Sequence, residues 1–190
     1  MKDKAVVLLD ACVLVPMPLA DTLLRIAAGP RLYMPKWSDR IMLEVSRTLQ
    51  KNFGISAAKT MHREGEIRRH SPEALVVGYE DLIPSMTNHP KDRHVLAAAV
   101  RAGAHIVLTY NSKDFPPSSL APYSITAQGP SAFLKKLYEM DPWAVMQTLE
   151  AQAAAIGRDL EFLLSRLRVN APAFVALIEE PESSQPETRL

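Results

Sequence analysis

Two acidic residues of this 190-residue chain follow runs of apolar residues, where an isolated charge is costly to bury. Asp10 comes directly after Val6–Leu9, and Asp114 lies just beyond a second apolar run that ends at Thr109. Both runs are short and apolar, which predicts strands buried on both faces of a parallel sheet. Because ligands bind outside the carboxyl ends of such strands, Asp10, Asp114 and the nearby Asn111 are candidate site residues at one edge.

Two further carboxylates fall on the inward faces of predicted helices. Glu44 lies within the apolar stripe of a helix predicted over 39–51, with Ser38 as its N-cap. Asp92 precedes the apolar positions of a helix predicted over 91–102 by three and four residues, so it points inward from the first turn. Each position also has a simpler explanation. Glu44 can form a salt bridge with a neighbouring arginine or lie exposed at the margin of the stripe, and the helix dipole favours an acid where Asp92 stands.

Together, the acidic residues indicate a metal site more strongly than each does alone. Carboxylates that are brought close together repel one another and raise one another's pKa. A hard divalent cation removes that repulsion, and Mg²⁺ or Mn²⁺ suits a site of carboxylates and waters. Such an ion lowers the pKa of a bound water and stabilises charge on a phosphoryl oxygen, which is the chemistry of phosphodiester hydrolysis.

The overall composition is that of a globular protein with one ordinary domain and an extension. The chain is 47% apolar and 23% charged, which excludes global disorder. Its formal net charge is +1, but the segment 25–69 contains ten Lys or Arg and four Asp or Glu, an excess of +6. That excess is compatible with an anionic partner such as nucleic acid, and equally with a solvated helical surface.

The cysteine and histidine content limits the disulfides and metal sites that the chain can form. Cys12 is the single cysteine, which excludes an internal disulfide and a thiolate metal cage, and its neighbours predict a small buried hydrophobe. The five histidines show no metal-ligand spacing, and His94 is expected to be solvated on an exposed helix turn. Neither a signal peptide nor a membrane span is expected, so we predict a cytoplasmic protein.

Strands alternate with helices along the first two thirds of the chain, which predicts an α/β fold with a parallel sheet flanked by helices on both faces. Short strands are predicted over 6–9, 32–34, 79–83, 105–109 and 123–126. The chain that follows is predicted to be all helical, over 131–139, 141–156, 159–168 and 172–179. We therefore predict a domain over 1–128, a helical extension over 129–180 and a disordered acidic tail over 181–190.

Three stretches of the sequence resemble motifs of the PIN-domain nucleases, especially the VapC-type toxins of bacterial toxin–antitoxin systems. The stretch LLDACVLV of this chain resembles the first motif of that family, and PKWSDRIMLEVSRTL resembles the second. The stretch KDRHVLAAAVRAGAHIVLTYNSKDFP resembles the third and fourth motifs together. The last stretch is the most specific, because an aspartate opens an alanine-rich helix that is followed by glycine, a strand and Thr-x-Asn-x-x-Asp-Phe. The resemblance covers about residues 5–126, and some proteins of this type carry a helical C-terminal extension.

The resemblance implies Mg²⁺- or Mn²⁺-dependent endonucleolytic cleavage of RNA by a metal-activated water. The catalytic and metal-binding residues that it implies are Asp10, Glu44, Asp92 and Asp114. Many relatives have an aspartate where this chain has Asn111, so Asp114 is expected to be the fourth acid and Asn111 an outer partner. The Thr109 hydroxyl is expected to hold a ligand or a metal-bound water.

The resemblance also implies partners. These are an RNA substrate, a cognate antitoxin that covers the acidic site, and a second copy of the chain in a homodimer. Candidates for phosphate contacts on the helices predicted over 39–51 and 56–69 are Arg40, Arg47, Lys51, Arg63, Arg68 and Arg69. Arg93, beside Asp92, is a further candidate that would neutralise the site or hold the scissile phosphate.

Two other functions stay open at this point. A haloacid-dehalogenase-like phosphatase also begins with an apolar strand that ends in aspartate. That chemistry needs a second aspartate two residues later, where this chain has Cys12. A catalytically impaired PIN scaffold, which binds RNA or a partner protein, is favoured by Asn111 alone.

Overall fold

The computed structural model describes residues 4–180 of the chain and contains, within this range, a five-stranded sheet. All of its strand pairs are parallel. The strands are β1 (Val6–Leu9), β2 (Met34–Ser38), β3 (Leu75–Val76), β4 (Ile106–Leu108) and β5 (Thr126–Gln128). Their order in the sheet is β3-β2-β1-β4-β5. The tail predicted over 181–190 lies outside the described residues.

Helices connect the strands and then continue alone after β5. Before β5 they are α1 (Ala11–Leu14), α2 (Met17–Ala28), α3 (Asp39–Phe53), α4 (Ala57–His70), α5 (Arg93–Arg101) and α6 (Pro117–Leu120). After β5 they are α7 (Pro130–Met140), α8 (Pro142–Ala155), α9 (Leu160–Leu167) and α10 (Pro172–Glu179). The α/β class, with a helix-flanked parallel sheet and a helical C-terminal part, is confirmed, whereas the domain boundary at 128 stays a prediction. No helix in the range 4–180 is both long and apolar enough to span a membrane.

The strand order brings two chain segments to one place at the edge of the sheet. β1 is the central strand and pairs with β2 on one side and β4 on the other, with Leu9 opposite Leu108. The chain first builds outward through β2 and β3, and then returns to add β4 and β5. In open parallel sheets, ligand sites lie at the carboxyl ends of the strands where the order reverses. Asp10, which follows β1, and the loop that follows β4 both lie at this point.

Helix α5 is buried around most of its circumference. The six residues from His94 to Ala99 are all buried, and the helix packs against β1, β2 and β4 and against the short 3-10 helix Glu80–Ser85. The expectation that His94 is solvated is therefore wrong, since only 1% of this residue is exposed. The sequence pattern of α5 identifies the apolar stripe of Val95, Leu96 and Ala99, but the side that carries His94 is covered as well, so the pattern did not predict that His94 is buried.

The segment 79–83 is not the predicted strand. It belongs instead to the 3-10 helix Glu80–Ser85, and the outer strand β3 lies earlier, at Leu75–Val76. Gly78, two residues after the end of this strand, has a φ of +67°, a conformation that strand residues do not adopt, so the strand does not continue into 79–83. Pro84 cannot donate to a strand ladder because it lacks an N–H group.

Two other strands begin later than predicted. The last one was placed at 123–126 but is β5, Thr126–Gln128, and β2 runs through Pro35 rather than ending before it. Met34 N–H donates to the Ala5 carbonyl oxygen of the neighbouring chain segment at 2.9 Å. Successive residues of a parallel strand bond to alternate sides, so the Pro35 nitrogen faces β3, which pairs with β2 only from Trp37 onward. The proline therefore removes no ladder hydrogen bond.

A buried polar pair joins the helical C-terminal part to the helices around the sheet. Thr22 of α2 and Gln152 of α8 are both buried, and the Thr22 hydroxyl donates to Gln152 Oε1 at 2.7 Å. Gln152 Nε2 in turn donates to the Pro18 carbonyl oxygen at 3.1 Å. The position of α8 against α2 is thus fixed by directed hydrogen bonds as well as by apolar contacts.

Thr22→Val is expected to destabilise the fold by roughly 1–3 kcal/mol, because it leaves the Gln152 amide oxygen buried without a donor. The double variant Thr22→Val/Gln152→Leu removes both polar partners and is expected to recover much of that loss. Guanidinium unfolding of the two single variants and the double variant, followed by circular dichroism, measures the coupling. If the two single effects simply add in the double variant, the two side chains do not interact.

Candidate metal centre

Asp10 is buried at the end of β1 and is held there by neutral donors. Only 5% of the residue is exposed. Its Oδ1 accepts a hydrogen bond from Ala11 N–H at 2.7 Å, and its Oδ2 accepts from the Thr109 hydroxyl at 2.6 Å and from the Cys12 thiol at 3.2 Å. Among residues 4–180, no basic side chain lies within 4.0 Å of this carboxylate. The carboxylate is therefore oriented, but its charge is not cancelled by a cationic neighbour at that distance.

Thr109 and Cys12 connect the ends of β1 and β4. The Thr109 hydroxyl, which donates to Asp10, also accepts from Asn111 N–H at 3.0 Å. Cys12 Sγ accepts from Tyr110 N–H at 3.3 Å. Burial and the nearby charge of Asp10 raise the pKa of the Cys12 thiol to about 12, so the thiol stays protonated and can donate. Cys12 packs against the hydrophobic core, in line with the prediction of a small buried hydrophobe, but it is only partly buried and its sulfur also contacts Asp10.

Asp92 and Asp114 come together, and His89 joins them. Ligand atoms of these three side chains all lie within 4.8 Å of one another. Backbone hydrogen bonds hold the group in place, since His89 N–H donates to the Asp114 carbonyl oxygen at 3.1 Å and Asp92 N–H donates to the His89 carbonyl oxygen at 2.9 Å. Sequence reasoning missed His89. The available signal was its spacing of three residues before Asp92, because residues i and i+3 stack across a 3-10 turn such as Pro90–Asp92.

The electrostatics of this group disfavour ionisation of Asp92. Burial raises the pKa of Asp92, and the negative charges of Asp10 and Asp114 raise it further, against smaller opposing effects of His94 and His89. Asp92 occupies the N-cap position of α5, yet its side chain makes no capping hydrogen bond. A divalent cation would relieve this repulsion, so the donor set of oxygen-rich, mutually repelling side chains fits Mg²⁺ or Mn²⁺.

Glu44 is linked to the same region through His94. His94 Nε2 lies 3.0 Å from Glu44 Oε1, and Arg40 Nε lies 3.7 Å from the same oxygen. The His94 contact has the length of an ion pair but not the alignment of a hydrogen bond. His94 also has a small lowering effect on the pKa of Asp92, so it interacts with both Glu44 and Asp92.

The four predicted metal ligands do not all belong to one compact group of side chains. Within the described part of the chain, His89, Asp92 and Asp114 form the compact group, which neither Asp10 nor Glu44 joins. Asp10 acts on this group through its charge. Asn111 is exposed, and its backbone carbonyl oxygen accepts from Asp114 N–H at 2.9 Å. The ligand set therefore stays a prediction.

Three of the predicted RNA-binding residues are held by contacts within the protein. Arg63 donates to two backbone carbonyl oxygens at the end of α1 and lines a cavity of about 930 Å³ between α2, α4 and α8. Arg68 pairs with Glu64, and Arg69 pairs with Glu66. None of the four predicted metal-binding acids lines this cavity.

The other predicted RNA-binding residues share a helix or a chain segment with one of the predicted acids. Arg40, Arg47 and Lys51 share one face of α3 with Glu44, because their spacing of three or four residues repeats every helical turn. All three basic residues are exposed. Arg93 directly follows Asp92, and its Nε donates to the Asn88 carbonyl oxygen at 3.4 Å.

Asp92→Asn is expected to raise the stability of the metal-free protein at pH 7. A raised pKa means that the folded state binds the Asp92 proton more tightly than the unfolded state does. Wild-type stability therefore falls as the pH rises from the unfolded pKa of about 3.9 through the raised folded pKa. The neutral asparagine avoids this loss, so its advantage is present at pH 7 and shrinks toward pH 4. Thermal unfolding in EDTA at both pH values measures the difference.

A matched control is Asp81→Asn in the 3-10 helix Glu80–Ser85. The hydrogen bond from Arg101 lowers the pKa of Asp81, so removing this charge is expected to decrease stability at pH 7. Opposite signs for the two substitutions support charge crowding at Asp92. A loss of stability for Asp92→Asn in EDTA at pH 7 would contradict it.

A stretch of 61 residues is 56% identical to the Mycobacterium tuberculosis protein named "Putative ribonuclease VapC50". The stretch covers 32% of this chain and 36% of that protein, so the match spans about a third of the relative's length. No protein-family model matches the chain, and no solved structure matches it. Taken with the helix-flanked parallel sheet, the partial match confirms the resemblance of this chain to the PIN-domain, VapC-type nucleases that its motifs predict.

Proposed function

We propose that this chain is a metal-dependent endoribonuclease that acts as the toxin of a toxin–antitoxin module. One observation carries the proposal. Asp92 and Asp114 meet at the carboxyl edge of the sheet, and the nearby charge of Asp10 adds to their repulsion. The partial similarity to VapC50 supports the same activity.

In the proposed site, Asp10, Glu44, Asp92 and Asp114 hold Mg²⁺ or Mn²⁺. The ion supplies a bound water of lowered pKa and stabilises charge on the phosphoryl oxygen. The Thr109 hydroxyl and Ala11 N–H fix the orientation of the Asp10 carboxylate before an ion binds. Asn111 supports the loop that carries Asp114 through its backbone carbonyl oxygen.

The RNA phosphates are proposed to bind along the basic face of α3. Arg40, Arg47 and Lys51 extend this face on both sides of Glu44, so a bound strand would pass the acidic group. Arg93, next to Asp92, is proposed to contact the scissile phosphate. Arg63 and Arg68 have roles within the protein, so they are weaker candidates for RNA contacts.

The proposal includes the partners and the location that the family resemblance implies. A cognate antitoxin would cover the acidic site and hold the ribonuclease inactive. The chain would form a homodimer and act on RNA in the cytoplasm.

A catalytically impaired scaffold is the second candidate function. It is favoured by Asn111, an exposed carboxamide where many relatives have an acid. The phosphatase alternative has less support. Its acid/base position is taken by Cys12, and burial raises the pKa of this thiol to about 12, too high for a group that must exchange protons near neutral pH.

Asp10→Asn and Asp92→Asn are each expected to reduce RNA cleavage by a factor on the order of 10²–10⁴, because each removes charge from the site that stabilises the transition state. EDTA is expected to abolish cleavage by the wild-type chain. The measurement is incubation of purified protein with total RNA in Mn²⁺ or Mg²⁺, followed by gel electrophoresis. Asp81→Asn is the matched control, since this carboxyl group lies outside the acidic group and its loss should leave cleavage unchanged.

The same assay separates the alternatives. RNA that stays intact in every metal while the protein still binds RNA would contradict the nuclease proposal and favour the scaffold. Turnover of p-nitrophenyl phosphate without RNA cleavage would favour the phosphatase.

Arg47→Ala/Lys51→Ala is expected to weaken RNA binding and to lower the slope of log affinity against log salt by about 1.4, or roughly 0.7 for each lost phosphate contact. Binding is measured in the Asp10→Asn background, where cleavage does not interfere. The control is Lys136→Ala/Arg166→Ala, which removes the same charge from exposed positions on α7 and α9. An equal change of slope for both double variants would contradict an RNA path along α3.

A further inference from the structure

We propose that His89 is a ligand of the metal site and that it makes the site prefer Mn²⁺, or a later first-row transition-metal ion, over Mg²⁺. The inference rests on the proposed metal-dependent function and goes beyond it by adding a ligand of a different chemical type. The family resemblance implies an all-carboxylate ligand set, in which no histidine takes part.

The geometry places an imidazole nitrogen among the carboxylates. A ring nitrogen of His89 and carboxylate oxygens of Asp92 and Asp114 lie within 4.8 Å of one another, a spread that ligands around one ion can close with small movements. Neither Asp10 nor Glu44 joins a group this compact among the described residues. On distance alone, His89 is therefore a better ligand candidate than two of the four predicted acids.

The contacts of His89 do not account for its position by ordinary pairing. Its Nδ1 lies 3.6 Å from Asp92 Oδ2, which is longer than a hydrogen bond, and 47% of its side chain is exposed. An exposed ion pair at that distance contributes little stability. The backbone, in contrast, fixes His89 firmly, since its N–H and its carbonyl oxygen bind Asp114 and Asp92 respectively. The ring is thus held against two carboxylates while its nitrogens keep the capacity to bind a further partner.

The nitrogen ligand decides the kind of metal. Mg²⁺ demands oxygen ligands and keeps several waters, so an imidazole adds little to its binding. First-row transition-metal ions accept imidazole together with carboxylates, and their affinity for nitrogen ligands increases from Mn²⁺ onward. A site of one histidine and several aspartates therefore selects against Mg²⁺ in a way that a site of carboxylates alone does not.

The test compares metal binding by the full-length wild-type chain, His89→Ala and His89→Gln. His89→Gln keeps a polar side chain of similar size, so it provides a second test if His89→Ala does not fold. Circular dichroism checks that each variant is folded. Mn²⁺ affinity is measured from the electron paramagnetic resonance signal of free Mn²⁺, and Mg²⁺ affinity from competition. Electron spin-echo modulation detects a nitrogen nucleus bound to Mn²⁺. His70→Ala is the matched control, because His70 is an exposed histidine that also lies beside a carboxylate, Glu66.

Both His89 variants are expected to lose Mn²⁺ affinity by about 10-fold or more, the size of effect seen when a group that supports a metal site is removed. Mg²⁺ affinity is expected to change by less than about 3-fold, because oxygen ligands dominate its binding. The nitrogen modulation should be present in the wild-type chain and in His70→Ala, and absent in both His89 variants. A wild-type chain without nitrogen modulation, or modulation that persists without His89, would overturn the inference, as would equal losses for both ions.

These readouts do not use RNA, so the inference and the proposed function can fail separately. Mn²⁺ binding that depends on Asp92 but shows no nitrogen modulation overturns the role of His89 and leaves the nuclease proposal intact. Nitrogen modulation in a chain that cleaves no RNA supports the ligand and overturns the nuclease. A wild-type chain that binds no Mn²⁺ overturns both.

Discussion

Repulsion between carboxylates at the carboxyl edge of β1 and β4 governs the arrangement of the candidate site. β1 is the central strand and is buried, so the acid that follows it cannot turn into bulk water, and Asp10 stays 5% exposed. Its charge raises the pKa of Asp92 across the gap between the strand end and helix α5. A fold gains no stability from such crowding. Native structures retain strained or repulsive groups where a function or a bound partner compensates for them.

The scaffold orients these acids without neutralising them. Asp10 accepts its hydrogen bonds from a hydroxyl, a thiol and a backbone N–H, all of them uncharged. Backbone hydrogen bonds join His89 to both Asp114 and Asp92. On the surface helix α4, in contrast, charged groups are paired, because Arg68 and Arg69 form salt bridges with glutamates one turn away. Asp10 is thus surrounded by neutral donors, whereas Arg68 and Arg69 pair with carboxylates on the surface, so no salt bridge among the described residues cancels the Asp10 charge.

The parts of the site that could be predicted are those fixed by topology. Parallel strands end at one edge, so Asp10 and the loop that carries Asp114 could be placed at the same edge of the sheet from two short apolar runs alone. His94 could not be placed, because the pattern of α5 marks one apolar stripe, whereas the structure also covers the side of the helix that carries His94. His89 was missed because its approach to Asp92 depends on a single 3-10 turn, which propensity rules for α-helices do not describe. The strand predicted at 79–83 was wrong for a similar local reason, the left-handed conformation of Gly78.

Asp10 and Glu44 lie outside the compact group, but their contacts do not exclude them from binding the same ion. Each carboxylate oxygen has two lone pairs, so Asp10 Oδ1, which accepts one hydrogen bond, keeps capacity for one more, whereas Oδ2 already accepts two. Glu44 touches His94 and Arg40 through one oxygen, which leaves the other without an ion pair in the described structure. Hydrogen bonds hold the Asp10 carboxylate in a defined orientation, and a ligand that is already ordered loses less conformational freedom when it binds. The contacts of Asp10 and Glu44 are thus compatible with the shared cation that we propose, although neither acid belongs to the compact group of the described residues.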